Sequence, residues 1–438
     1  MSSFLWQQAL HHHQCGQYQE ALRYYQRINR KAPNIDALFN MGIVHTRLEH
    51  LEEAEKCYQT ILSLQPFHAK AKNNLALLCQ KQGFLFRAEK LLRELLRDDP
   101  WNLDISNNLA GVLLGQGRPD EACSMLYPAL KRDPLHAISW DTLGACLQDM
   151  GDIETALASF YRAHQQAPQN IETLFHLHGL LHDLNTPELA LETLLRARSL
   201  APHRWDLQFY EHCLISWYNL GSTDLTLLEA SAQKHQPWLD SWKYIAEHRT
   251  ANTQFFYSVA KTLHHAVSQA SLTGLVLEFG VRFGTTAKLL QQYSGQEVHG
   301  FDSFQGLPTS WHEIPQGAYS TNGVIPDLGK NILLHAGWFS DSLPSFCQEH
   351  PQGVRLLHVD CDLYSSTKDI LEMLHNQLIP DTIVVFDEYI MNPKWKEDEF
   401  KAWQEFCLHS SITYEYISFS PMSNQTALRI LADIDATT

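Results

Sequence analysis

Four carboxylates close two short apolar runs in the second half of the chain: His358-Val359-Asp360-Cys361-Asp362 and Val385-Phe386-Asp387-Glu388. Runs of this kind read as buried strands, and in an open parallel sheet ligands bind beyond the carboxyl ends of strands. Four like charges there repel one another; a hard divalent cation, Mg²⁺ or Mn²⁺, offsets them and takes oxygen ligands. Capping of the next helix would explain Asp360 or Asp362 singly, but not all four acids. Upstream, Glu278-Phe279-Gly280-Val281-Arg282-Phe283-Gly284-Thr285-Thr286 follows another apolar run. Glycine at 280 and 284 lets a ligand approach the turn before the following helix, although this spacing alone equally describes a plain strand–helix turn. Asp302 and Ser303 end a further run, where an acid either accepts from a ribose diol or caps a helix. The next run ends at His335-Ala336-Gly337-Trp338.

Seven runs must position these groups: 275–281, 298–301, 332–335, 356–359, 383–386, 414–418 and 427–431. A helix is expected at 255–269, ahead of the first. Helical segments between the first five runs predict a parallel α/β sheet. The last two, joined by a short polar loop, predict an antiparallel hairpin at the sheet edge. Residues 305–330, rich in Gly, Pro, Ser, Thr, Trp and Tyr, are either a mobile lid over an acceptor, with Trp311, His312, Glu313 and Tyr319 as contacts, or a long surface loop.

The first half is periodic. Prolines 33, 66, 100, 134, 168 and 202 and alanines 21, 54, 88, 122, 156 and 190 recur every 33 or 34 residues. An apolar column (Met41, Leu75, Leu109, Leu143, Leu177) and a turn column (Gly16, Gly83, Gly117, Gly151) keep step. This pattern resembles the tetratricopeptide (TPR) repeat over residues 1–204, six helix–turn–helix units stacked into an α-solenoid. The resemblance implies a groove for a protein or peptide; a scaffold that dimerises or holds the second domain is the other use. Lys70, Lys72, Asn73, Asn74, Asn107 and Asn108 are groove candidates, or simply a solvated face. An apolar capping helix over 205–220 and a mixed connector to 245, carrying Trp238 and Trp242, are expected to pack rather than swing freely.

Composition narrows the partners. With 33 basic against 49 acidic residues the net charge is −16, and no Lys/Arg block is present, so nucleic acid is an unsuitable main partner. No run of about 18 apolar residues predicts a membrane span. The first fifteen residues have neither the basic nor the apolar part of a secretory signal. Nine scattered cysteines without C-x-x-C suggest reduced thiols in a cytoplasmic protein. The 24 histidines show no metal-ligand spacing.

Taken together, LEFGVRFGTT, HGFDSFQGLP, LHAGWFSDSLP, HVDCDLYSST, FDEY and EFKAWQEF resemble the class I S-adenosylmethionine (SAM)-dependent methyltransferases. Within these they are most similar to the macrocin/mycinamicin and aminocoumarin-sugar O-methyltransferases, over about residues 250–433. The resemblance implies a seven-stranded Rossmann-like domain that binds S-adenosylmethionine and a divalent metal and methylates a sugar-like hydroxyl. It implies Asp360, Asp387 and Glu388 as metal ligands and Asp362 as general base. Glu278 and Gly280 would meet the methionine end of the cofactor, Asp302 its ribose, and the Gly337–Trp338 region its adenine, with Gly284 and Ser303 also among the cofactor-binding residues. The family often has Asp-Asp where this chain has Asp387-Glu388. The expected organisation is therefore six repeats at 1–204, a capping helix and connector at 205–245, and the methyltransferase domain at 246–438. The alternative is a repeat scaffold whose α/β domain binds SAM without turnover; a homo-oligomer stays open in either case.

Overall fold

The computed structural model describes residues 2–30, 32–222, 228, 230 and 232–432. The chain forms two compact units, one of Met1–Gln116 with Glu121–Pro134 and one of Gly117–Asp120 with Leu135–Thr438.

The first unit is helical, with α1 (Ser2–Gln14), α2 (Tyr18–Asn29), α3 (Ile35–Arg47), α4 (Leu51–Leu64), α5 (Ala69–Lys81), α6 (Leu85–Asp98), α7 (Leu103–Gly115) and most of α8 (Pro119–Arg132). The helices pair as the period requires. Gly16 and Gly83 take positive φ in the turns between partners, and Asn34 and Asn102 cap α3 and α7 by accepting from Ala37 N and Ile105 N. The recurring alanines 21, 54 and 88 are fully buried, where the helices come closest. The groove candidates bond among their neighbours: Asn108 Nδ2 donates to Asn73 Oδ1 at 2.9 Å, and Lys72 pairs with Glu94 at 3.0 Å.

The second unit continues with α9 (Ala137–Asp149), α10 (Ile153–Gln166), α11 (Ile171–Asp183), α12 (Pro187–Leu200) and α13 (Trp205–Tyr218). The stretch expected as a mixed connector contains a helix, Ala232–His248, that carries Pro237 internally; residues 223–227, 229 and 231 of that stretch lie outside the described residues. Aromatic packing carries the helix past its proline. Trp238 meets Trp205 edge-on, and buried Trp242 packs against Trp217 and Phe255.

Eight strands follow in one mixed sheet: β1 (Gln254–Phe255), β2 (Leu275–Phe279), β3 (Val298–Asp302), β4 (Ile332–Ala336), β5 (Val354–Val359), β6 (Ile383–Phe386), β7 (Tyr414–Ser420) and β8 (Gln425–Ile430). Their order is β1-β7-β8-β6-β5-β2-β3-β4. The expected count of seven is corrected to eight, and Phe255 lies in a strand rather than in the predicted helix, which begins at Val259. The reason is tertiary: Phe255 pairs with Phe419 and packs on His182 and Trp217, while Asp183 of α11 fixes the turn that follows. Its carboxylate accepts from Tyr257 N, Ser258 N and Ser258 Oγ at 2.8, 3.0 and 2.5 Å. The β7–β8 hairpin is antiparallel, but β1 occupies the edge outside it. No helix separates β3 from β4; the chain between them is loop and turn.

Strands β2, β5 and β6 are largely apolar because both faces are covered, with Glu278, Arg355 and His358 as the polar exceptions. Val276, Leu356 and Ile383 face helices Val259–Gln269 and Thr285–Ser294, whereas Leu277, Leu357 and Val384 belong to the core on the other face. The chain runs outward from β2 through β3 to β4, then restarts at β5 on the other side of β2. That reversal between β2 and β5 opens a crevice at their carboxyl ends. Among the described residues no helix is long and apolar enough to cross a membrane.

Candidate functional site

A cavity of about 560 Å³ opens at this crevice, within the size range of small-molecule sites. Gly280, Gly284, Asp302, Ser303, Trp338, Asp360, Asp362, Asp387 and Glu388 all line it. Glu278 and Gly337 are not on its wall.

The first turn is possible only with glycine. Gly280 has φ +97°, and a Cβ there would stand 1.7 Å from the Asp360 carbonyl oxygen, so the loops after β2 and β5 touch backbone to backbone. Gly284, at φ +80°, caps helix Thr285–Ser294, and a Cβ would collide with Leu328. Asp302 stitches this turn to the next loop: its Oδ2 accepts from Arg282 N at 2.7 Å and its Oδ1 from Phe304 N at 2.6 Å. Burial raises its pKa, and those two backbone donors oppose the rise. Ser303 Oγ accepts from Gln305 N, and Gly337 N donates to the Asp302 carbonyl. Trp338 precedes helix Phe339–Glu349.

The acidic wall spans β5 and β6, which are adjacent and parallel, and pairing of Val359 with Phe386 sets Asp360 and Asp387 side by side. Burial, followed by repulsion from Asp387 and Asp362, holds the Asp360 carboxyl well above the usual carboxylate range. Asp362, at φ +62°, is pushed up to about 7 by burial and then by Asp387 and Asp398, with Arg282 opposing. Glu388 rises to about 8 through burial and the charges of Asp387 and Asp362. Gln425 Nε2 donates to Asp387 Oδ1, and Asn424 Nδ2 donates to Glu388 Oε2 at 3.0 Å. These are oxygen donors suited to a hard cation. Among the described residues, however, no group of three or more His, Cys, Asp or Glu side chains is arranged to hold a metal ion.

Behind the wall lies a buried charge line across three neighbouring strands. His358 Nδ1 is 3.1 Å from Glu278 Oε1, and His358 Nε2 is 3.9 Å from Asp387 Oδ1. Burial opposes charge on His358, but Asp387 and Glu278 outweigh it and raise its pKa to about 10. Glu278 thus supports the acid wall from beneath. Its alternating position on β2, opposite His358 in register, is visible only once β2 and β5 are paired.

Sequence reasoning missed Arg282, Glu399 and Asp398 as site residues. Glu399 is fully buried, and its Oε2 accepts from Glu388 N at 3.0 Å. Asp398 Oδ2 accepts from Trp311 Nε1 at 2.9 Å and lies 2.6 Å from His312 Nε2. Trp311 and His312 are therefore tethered, and Trp311 is buried with Leu307 and Leu363. Of the four predicted lid contacts only Tyr319 lines the cavity, joined there by Leu307, Pro308 and Thr309. Arg282 stood inside the glycine motif; Glu399 opens EFKAWQEF and Asp398 directly precedes it, which marks them by position without showing where they point.

Residues 321–418 match the family model described as Macrocin-O-methyltransferase (TylF), a span that runs from ahead of β4 into β7 and takes in all four acids of the wall. Residues 86–145 and 35–68 match tetratricopeptide-repeat models. The chain therefore carries tetratricopeptide repeats in its first half and a segment of the macrocin-O-methyltransferase type in its second. A curated relative, demethyldecarbamoylnovobiocin O-methyltransferase of Streptomyces niveus, is 29% identical over 122 residues. That alignment covers 23% of this chain and 45% of the relative, so the chain spans less than half the length of the curated protein it matches. A calicheamicin methyltransferase of solved structure is 25% identical over 39% of this chain and 77% of its own, with a TM-score of 0.34. A thermophilic TPR protein of Thermus thermophilus is 20% identical over 42% of this chain and 100% of its own, with a TM-score of 0.39. Both scores lie below 0.5, and these two likenesses extend the family matches no further.

Proposed function

We propose that the chain is a SAM-dependent O-methyltransferase acting on the hydroxyl of a sugar-like acceptor, with the repeats recruiting the acceptor or a protein that carries it. The observation that carries this reading is the meeting, in one cavity at the sheet's reversal point, of the Gly280–Gly284 turn with the acids of the matched segment. SAM would lie along Gly280, Gly284, Asp302, Ser303 and Trp338, its sulfonium attracted by the acidic wall. Asp362 accepts the hydroxyl proton, the acceptor oxygen attacks the methyl carbon in line, and the carbon–sulfur bond breaks to release S-adenosylhomocysteine. Much of the acceleration is positioning. Asp360, Asp387 and Glu388 are the residues that would hold Mg²⁺ or Mn²⁺, whose chemistry when bound is to lower the pKa of a coordinated hydroxyl. Glu278 and His358 hold the Asp387 side of the wall in place. Nine free cysteines suit a reducing, cytoplasmic setting.

The test is calorimetric titration of SAM with Mg²⁺ and then with EDTA, followed by methyl transfer to a panel of glycosylated acceptors. Stoichiometric binding, with turnover lost in EDTA and in Asp362→Asn or Asp387→Ala while cofactor binding persists, is the expected result. Turnover that survives EDTA removes the metal from the reading. Failure to bind millimolar SAM removes the enzyme and leaves a repeat scaffold.

A further inference from the structure

Among the described residues, Arg282 is the sole Lys or Arg side chain on the cavity wall, facing carboxylates from Asp302, Asp360, Asp362, Asp369, Asp387 and Glu388. Its placement is over-determined. The residue sits in the left-handed region at φ +52°, a conformation that costs a non-glycine residue energy, and its N–H is held by Asp302. The guanidinium lies over the Tyr319 ring, 5.3 Å from the centroid, so the loop between β3 and β4 fixes its plane. Yet the group is not used up. Its Nε is buried without a hydrogen-bond partner, and among the described residues no carboxylate comes within 4.0 Å of it as an ion pair. A buried guanidinium donor left open in a cavity is costly unless a ligand completes it. The fork presents parallel donors that match a carboxylate.

Resting on the SAM-binding reading above, we infer that Arg282, oriented by Tyr319, is the receptor for the carboxylate of the cofactor's amino-acid tail. Charge matching favours the cofactor over the acceptor. The tail carries one anion beside an ammonium and a sulfonium, and the cavity offers one cation among many acids. A neutral sugar hydroxyl needs no guanidinium. The glycine turn that holds Arg282 also opens on the first turn of helix Thr285–Ser294, whose free N–H groups favour the same end of the ligand.

The probes are SAM and decarboxylated S-adenosylmethionine, which keeps the sulfonium, the amine and the adenosine but lacks the carboxylate. Both are titrated calorimetrically into the full chain and into Arg282→Ala, Arg282→Lys and Tyr319→Ala, with circular dichroism to show that each variant is folded. The wild type is expected to prefer SAM by about ten- to hundredfold, the size of a charge-assisted carboxylate interaction. Arg282→Ala should bind both compounds alike, Arg282→Lys should recover part of the preference, and Tyr319→Ala should reduce it severalfold. A preference that survives unchanged in Arg282→Ala overturns the assignment while leaving SAM binding intact. If the wild type binds neither compound, the cofactor reading itself falls and the assignment falls with it. Should Arg282→Ala fail to fold, Arg282→Lys carries the test: an undiminished preference there, with Tyr319→Ala also unchanged, overturns it.

Discussion

Three glycines show how differently the repeat helices and the sheet are built. Gly144 on α9 lies where a Cβ would stand 2.7 Å from the ring of Phe160 on α10, and Gly42 on α3 has the same relation to Tyr58 on α4. In both pairs a small residue admits the aromatic sixteen positions later, so the contact is local and is repeated by the period. Gly280 instead faces the backbone of Asp360, eighty residues away, across two paired strands. A ring can tilt to make room; a backbone carbonyl in a loop pinned by Asp360 N donating to Phe279 O at 2.8 Å cannot. The repeats therefore spread their demands over interchangeable units, whereas the sheet concentrates them at one reversal point where the chemistry also lies.

The sharpest break of this contrast is Gly280→Ala. Backbone overlap together with φ +97° should cost more than about 3 kcal/mol and abolish SAM binding, read by thermal melting and calorimetry. Survival with normal cofactor affinity would show that the two loops separate freely. Next, Gly144→Ala should lower stability by about 1–3 kcal/mol through overpacking against Phe160, with SAM affinity unchanged in the folded protein. A loss of affinity equal to that of Gly280→Ala would erase the distinction between packing and site.

Acid probes each region through one histidine. Burial lowers the pKa of His178 on α11 to about 3 and that of His299 on β3 to about 4, in the latter case helped by His335 and His350. Both folded values lie below the unfolded value of about 6.5. Each histidine therefore contributes stability that is present above about pH 6.5 and lost as pH falls toward 3 for His178 and toward 4 for His299. The slope is at most about 1.4 kcal/mol per pH unit for each group. Denaturation midpoints across that window should flatten in His178→Phe and in His299→Phe; an unaltered slope in either would place its titration elsewhere. The smallest effect belongs to the repeat surface. Lys81 and Glu49 pair at 2.6 Å but are both exposed, so Lys81→Ala should change stability by less than about 0.5 kcal/mol in a chemical melt.

Much of the fold was written locally. The 34-residue period specifies six helix pairs because each helix needs only its neighbours to bury its alanines and leucines. The apolar runs specify seven of the eight strands, most plainly the central parallel ones, which are covered on both faces and so are largely apolar along their length. What escaped were elements decided by partners distant in sequence. Residues 254–255 are too few to signal a strand alone; pairing with β7 and packing on α11 and α13 make them one. Helix Ala232–His248 carries an internal proline, and its aromatic contacts rather than its propensity hold it.

The site divides along the same line. Sequence alone determined which residues end the strands, and so Gly280, Asp302, Asp360, Asp362, Asp387 and Glu388 were legible as groups that meet at one edge of a parallel sheet. Tertiary structure alone decided where each one points. It turned Glu278 inward to His358, tied Trp311 and His312 to Asp398, and left the guanidinium of Arg282 over Tyr319 with an open donor. The physical reason is that strand ends follow from local pattern, whereas the direction of a charged side chain follows from the balance of burial and partners, and those partners lie on other strands.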